Sequence, residues 1–420
     1  MSMKLTQLLR KPSPPVIIAG LIIAVLLGGV AVLTYDRARN TEDTTPTILP
    51  DLPAGTGVAM SPTPTGPVPT ISTEEPGFTD EVVQEDLTAP WDILFLDEST
   101  WLVSEKDGTM VLIKDGSMTR FTGPDDVMSI GEGGLTGLAL DPEYTTNRLL
   151  YTCYNSASND VRVVRFRFEP EQRSLTEKKI LVEGIPSIAG GRHSGCQLEF
   201  GPDGFLWVGT GDAATAENPQ DLQSLGGKIL RIDRDGNPAY DNLQGGADLR
   251  VYSYGHRNVQ GLGFFNPAYR FDAPGINIEH GSTLDDEVNP LVPGNFGWDP
   301  NPGYREAGVP MTDLEKFPDA VEAIWSSGNP TIATSGGTVI NGEQWKSWNQ
   351  SVAVGVQKDQ HVLILKVNQD MTLADETVIL KGAYGRIRTV QQGPDGNLYL
   401  LTDRREGSGA DVIVRLSPNP

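Results

Sequence analysis

Gly201-Pro-Asp-Gly-Phe-Leu-Trp-Val-Gly-Thr-Gly-Asp212 recurs, lightly altered, as Gly393-Pro-Asp-Gly-Asn-Leu-Tyr-Leu-Leu-Thr-Asp403. Each copy reads as a tight turn followed by a strand. Proline pre-sets φ, aspartate caps backbone N–H groups two residues on, and glycine takes the positive φ the turn needs. The apolar and aromatic residues that follow alternate as a strand does. Looser echoes stand at Leu96-Asp-Glu-Ser-Thr-Trp-Leu-Val-Ser-Glu105 and at Leu140-Asp-Pro-Glu-Tyr144, which continues to Leu149-Leu-Tyr-Thr-Cys-Tyr154. Hairpins recurring without a helical period between them predict the radial blades of an all-β propeller. A pair of β-sandwiches is the alternative, because the spacing of the repeats is irregular. In a propeller the loops at one end of every blade converge on the axis, so residues distant in sequence can share one pocket.

Composition agrees with many short strands joined by turns: 47 glycines and 31 prolines among 420 residues. The formal net charge of −22 and the lack of a basic stripe exclude nucleic acid as a partner, since its binding rests on Lys and Arg neutralising phosphates. Two cysteines, Cys153 and Cys196, exclude a thiolate cluster; one bridge or two thiols remain as alternatives. Val16 to Leu33 is an unbroken apolar run of 18 residues behind Lys4, Arg10 and Lys11. That length is near the minimum for a spanning helix and favours an uncleaved signal anchor over a cleaved signal peptide. The expected organisation is a cytoplasmic tail over 1–14, a transmembrane anchor over 15–35, a disordered Pro/Thr-rich linker over 36–80, and an extracytoplasmic, membrane-anchored β domain over 81–420.

The four histidines, His193, His256, His280 and His361, all lie in Gly-rich or polar segments. Arg257, Lys358, Arg386 and Arg388 are spread over separate repeats and suit a ligand bearing several carboxylates, which guanidinium groups grip through paired hydrogen bonds. No zincin helix, nucleophile elbow or dinucleotide glycine fingerprint is present.

In chain order, Gly131-Glu-Gly-Gly-Leu135, Gly191-Arg-His193, Gly201-Pro-Asp-Gly204, Gly227-Lys-Ile-Leu-Arg-Ile-Asp233, Tyr254-Gly-His-Arg-Asn258, Glu279-His-Gly281 with Asp286-Glu-Val-Asn289, and Gly385-Arg-Ile-Arg388 follow one another. This series resembles the PQQ-dependent aldose sugar dehydrogenases, the glucose/sorbosone dehydrogenase family, from about Ala89 to Ser417. The resemblance implies a six-bladed β-propeller with pyrroloquinoline quinone (PQQ) across its axis. It implies that His193 takes the proton of the anomeric hydroxyl while hydride passes to the quinone C5, with Asp212 orienting the imidazole. Arg257, Asn258, Lys358, Arg386 and Arg388 match positions that hold the cofactor. Glu132 stands where some members offer glutamine to it. Gly281 and Ser282 would give backbone carbonyls to Ca²⁺, a cation that prefers such oxygens. The acidic run Asp285, Asp286 and Glu287 reads as a solvated loop or local support rather than a second calcium site. Cys196 stands where glycine is common, and either narrows the pocket or joins Cys153.

The implied activity is oxidation of an aldose to its lactone, with electrons passed to an external quinone or cytochrome. A cell-surface propeller binding carbohydrate or protein without catalysis is the alternative. A calcium-dependent propeller hydrolase is a third reading, and would need side-chain carboxylates converging on the metal.

Overall fold

The computed structural model describes residues 66–404 and 409–420. Six antiparallel sheets of four strands form the blades, one of them extended by a short fifth strand that pairs in parallel. The innermost strands are Pro90–Phe95, Leu135–Leu140, Gly195–Phe200, Val259–Phe264, Thr334–Val339 and Ile387–Gln392. Each contacts the next around the ring, and the last contacts the first. The chain forms the propeller expected from the repeats, with the six blades that the resemblance implies.

The repeat works through its turn. Gly204 (φ 79°) donates its N–H to the Gly201 carbonyl at 2.9 Å, closing the hairpin between Gly195–Phe200 and Leu206–Thr210. Asp203 then accepts from the Phe205 N–H at 3.1 Å and the Trp207 indole at 3.3 Å. In the second copy Asp395 accepts from the Asn397 N–H at 3.1 Å and the Tyr399 hydroxyl at 2.9 Å. A Cβ on Gly201 or Gly393 would run into Trp207 or Tyr399. Aspartate and the aromatic four residues later are therefore one unit, pinning the turn to its own strand.

Apolar side chains of adjacent blades interlock. Tyr151, Cys153 and Val163 of the second blade pack with Leu198, Leu206 and Val208 of the third. Between the fourth and fifth, Ile276 and Ile278 meet Val352 and Val354. Cys153 and Cys196 form a disulfide across the second and third blades, which decides between the two alternatives left by the sequence. The ring closes when Phe78–Leu87 pairs antiparallel with Asp411–Pro418, completing the last blade from both ends of the body. The stretch just before that strand is tied down: Glu75 accepts from the Trp348 indole at 2.8 Å and the Ser347 hydroxyl at 3.0 Å.

One expectation requires correction. Among the described residues no helix is long and apolar enough to cross a membrane; the α-helix present is the four-residue turn Tyr144–Asn147. A span needs about 20 consecutive apolar helical residues. The membrane-anchored localisation is withdrawn on that ground; the apolar run Val16 to Leu33 and most of the linker lie outside the described residues.

Candidate active site

The propeller's antiparallel order brings two kinds of segment to the same end of every blade: residues entering the innermost strand and residues leaving the second. Glu132, His193, Arg257 and Arg386 stand at the entries, one to three residues before their strands. Lys106, Asp212, His280, Lys358 and Asp403 follow the ends of second strands. Between them opens a cavity of about 1160 Å³, lined by Glu132, His193, Arg257, Asn258, Ser282, Lys358, Arg386 and Arg388, among others. Eight of the ten expected site residues thus share one pocket. Asp212 lies behind His193, and Gly281 is buried beside Ser282 without lining the cavity.

His193 and Asp212 are 2 % and 0 % exposed, and the imidazole Nδ1 stands 2.8 Å from Asp212 Oδ1. The other carboxylate oxygen, Oδ2, accepts from the Trp298 indole and the Tyr304 hydroxyl, each at 2.8 Å. The Ala214 N–H donates to Oδ1 at 2.7 Å, so donors on every side fix the plane of the carboxylate. Tyr304 Oη also lies 2.7 Å from His193 Nδ1. Its one proton serves Asp212, leaving its oxygen to accept from the ring. Both contacts place the ring proton on Nδ1 and leave the Nε2 lone pair as the basic site. The Arg192 Nε–H points at that nitrogen from 3.3 Å. Burial, followed by the Asp212 charge, holds the Tyr304 phenol far above its ordinary pKa, so it stays a neutral donor.

His193 sits at φ 50°, a left-handed conformation that a bulky residue adopts only when its surroundings impose it. Two glycines make that loop possible. A Cβ on Gly131 would collide with the Gly190 carbonyl, and one on Gly191 with the Ile130 carbonyl. Glu132, on the first of these loops, accepts the His193 backbone N–H at 2.8 Å. Its carboxylate therefore holds the histidine's backbone in place.

The four cations come from three blades, Arg386 and Arg388 sharing the last. Arg388 stacks 4.0 Å over Trp91 and donates to Gln260 at 2.5 Å. Arg386 donates to Gln357 and lies 3.8 Å from Asp403. Lys358 reaches the Thr331 carbonyl at 2.7 Å, and Arg257 the His280 carbonyl at 2.7 Å. Asn258 Oδ1 accepts the Gly195 N–H at 3.1 Å, tying its own blade to the base's strand. Gln357 lines the cavity, and its buried Nε2 has no partner among the described residues, leaving two N–H donors unsatisfied.

His256 and His361 do not join the cavity. His256 is fully buried between Ser253 and Glu279, at 2.8 Å and 2.5 Å, and stacks on Phe296. Asp286 is buried too. It accepts the backbone N–H groups of Gly281, Ile332 and Ala333 at 2.9, 2.6 and 2.7 Å, so local support describes it and a solvated loop does not. Among the described residues, no group of three or more His, Cys, Asp and Glu side chains could hold a metal ion. Sequence reasoning missed Trp298, Tyr304 and Glu306. All three lie in residues 296–324, an excursion without strand or helix whose Asn-Pro-Gly-Tyr-Arg-Glu segment repeats nothing elsewhere in the chain.

Residues 87–415 match the family described as Glucose / Sorbosone dehydrogenase. The aldose sugar dehydrogenase YliI of Escherichia coli is 30% identical over 356 residues, covering 80% of this chain and 92% of its own. The PQQ-bound aldose sugar dehydrogenase from Streptomyces coelicolor superimposes with a TM-score of 0.68 at 31% identity, over 82% of this chain and all of that one. The structure described as the soluble aldose sugar dehydrogenase from E. coli in its apo-form gives a TM-score of 0.72 at 27% identity, over 82% and 100%. With its six blades, its converging loops and a family match spanning the propeller, the chain belongs to the glucose/sorbosone dehydrogenase family.

Proposed function

We propose that the cavity oxidises aldose sugars at the anomeric carbon to lactones, with hydride passing to PQQ and the electrons then leaving to an external quinone or cytochrome. Family membership makes the chain a PQQ-dependent oxidoreductase of sugar CH–OH groups. The observation that carries the finer reading is the buried His193–Asp212 pair, whose imidazole lines a cavity ringed with cations. We assign this activity to residues 81–420.

The residues fit such a cofactor. Its carboxylates call for guanidinium and ammonium partners in a shielded site, which Arg257, Lys358, Arg386 and Arg388 supply from several directions. Gln357 Nε2 and Asn258 add neutral donors. Bound there, PQQ supplies a two-electron oxidant that accepts the hydride from sugar C1. His193 Nε2 removes the proton of the anomeric hydroxyl, and the positive charge that forms on the ring faces Asp212. Asp212, held by Trp298 and Tyr304, keeps the ring proton on Nδ1. Glu132 acts on the backbone of the base.

Calcium is the most demanding part of the reading. Gly281 and Ser282 offer it carbonyl oxygens, yet the Gly281 carbonyl already accepts from His280 Nδ1 at 2.7 Å. A metal there shares that oxygen, and the rest of its roughly six to eight ligands must come from the cofactor and water.

The test is a titration of the full-length chain with PQQ and calcium, followed by cofactor absorbance and by dye reduction with a panel of aldoses. Saturable PQQ binding with lactone formed in step with dye reduction supports the reading. A folded protein that binds PQQ but reduces no dye with any aldose refutes the assigned reaction.

A further inference from the structure

Six cationic side chains line the cavity: Lys106 and Lys358 reach backbone carbonyls, Arg388 lies over an indole face, and Arg386 stands 3.8 Å from Asp403. Glu306 serves the remaining two at once. Its Oε2 accepts from Arg257 Nη2 at 2.8 Å and Nε at 3.2 Å, and its Oε1 accepts from Arg192. One carboxylate is thus shared by two guanidinium groups, one of which also touches the proton-accepting nitrogen of His193.

The geometry of Arg257 gives this pair its meaning. Nη1 is committed to the His280 carbonyl, while the Nε/Nη2 edge, the side that grips carboxylates best, is taken by Glu306. Arg257 is itself buried, 3 % exposed, and Glu306 is half-buried on the excursion 296–324. Two arginine charges and partial burial oppose each other at Glu306. Burial pushes its carboxyl up, Arg257 and then Arg192 pull it down further, and the net position lies below the ordinary carboxylate range. Glu306 is therefore an anion that stays in the cavity at neutral pH.

We propose that Glu306 is an internal competitor for the cavity's anion-binding edge and sets its affinity for a carboxylate-bearing cofactor. An incoming carboxylate takes the Nε/Nη2 edge of Arg257 only by displacing the Glu306 side chain. Arg192, released in the same step, turns its guanidinium from Glu306 toward the ligand side of His193. This rests on the PQQ reading of the same site.

The experiment compares PQQ binding to the full-length wild type, Glu306→Gln and Glu306→Asp, by cofactor absorbance and by rapid-mixing association rates, with thermal melts as a check on folding. Glu306→Gln keeps the shape and removes the charge; the expected result is affinity about tenfold higher and faster association, the size of one charge-assisted contact. Glu306→Asp keeps the charge and should stay near wild type. Affinity unchanged or weakened in a well-folded Glu306→Gln overturns the proposal and leaves the PQQ reading standing. Failure of all three folded proteins to bind PQQ overturns the reading itself. Binding by Glu306→Gln alone supports the competitor role in its strongest form.

Discussion

Replacing Asp212 by asparagine exchanges a carboxylate that accepts four hydrogen bonds for an amide with one acceptor oxygen. Two orientations are open to it. With Nδ2 toward the histidine, the amide N–H opposes the Ala214 N–H and donates to Nδ1, driving the ring proton to Nε2, where no base is left. With Nδ2 on the far side, it opposes the Trp298 indole N–H. Either way one buried donor loses its acceptor, at about 1–3 kcal/mol, and the imidazolium formed in the reaction loses its counter-charge. Together these raise the barrier by about 3–5 kcal/mol, or roughly 10²- to 10⁴-fold in rate. The assay is steady-state dye reduction with a good aldose, alongside a PQQ titration. Asp212 does not line the cavity, so cofactor affinity should stay within about twofold while kcat falls. A variant that keeps more than about a tenth of wild-type kcat refutes the assignment of Asp212 as the group orienting the base.

Tyr304→Phe removes the hydroxyl between Asp212 and His193. Turnover should fall about three- to tenfold with the acid limb of the kcat/KM profile displaced, because a purely structural loss would leave that limb in place. Opening the Cys153–Cys196 bridge by paired serine substitution frees a loop with a sequence separation of 43. Loop entropy puts that cost at about 4 kcal/mol, read as a lower denaturant midpoint. Burial, with Asp92 close by, pushes Glu199 up to about 8. Its folded-state carboxyl holds a proton that the unfolded chain has released, so stability is lost as pH rises from the ordinary glutamate range through 8. Glu199→Gln should flatten that part of the denaturation profile, leaving stability at pH 5 little changed and raising it at pH 8.5.

The propeller was legible because its signal is local. Gly-Pro-Asp-Gly with an aromatic four residues after the aspartate is a complete turn-and-strand unit, and the same atoms meet at Asp203 and at Asp395. The cavity was legible for a related reason: strand entries and second-strand exits share one end of every blade, so residues at those positions converge whatever lies between. What escaped the sequence sits off that frame. Trp298, Tyr304 and Glu306 belong to an excursion with no repeat to give it a register, and their partners lie 49 to 114 residues away. Glu132 was expected to face the cofactor; its use as an acceptor for the His193 N–H follows from a glycine-tight contact between two loops that no spacing reveals. Cys153 and Cys196 face one another only because the second and third blades are adjacent. The apolar run near the N-terminus gave a membrane reading from its length and the positive charges before it, and the described residues supply no spanning helix to carry it.

The central claim is that His193, held by Asp212, is the base for sugar oxidation in this cavity. It is tested most directly by single-turnover reduction of PQQ-loaded protein, comparing wild type with His193→Ala and glucose with its C1-deuterated form. The account predicts that His193→Ala binds PQQ as wild type does but is reduced about 10²- to 10⁴-fold more slowly, with deuterium slowing the wild-type step. Equal rates of reduction in the two proteins at saturating sugar would contradict it.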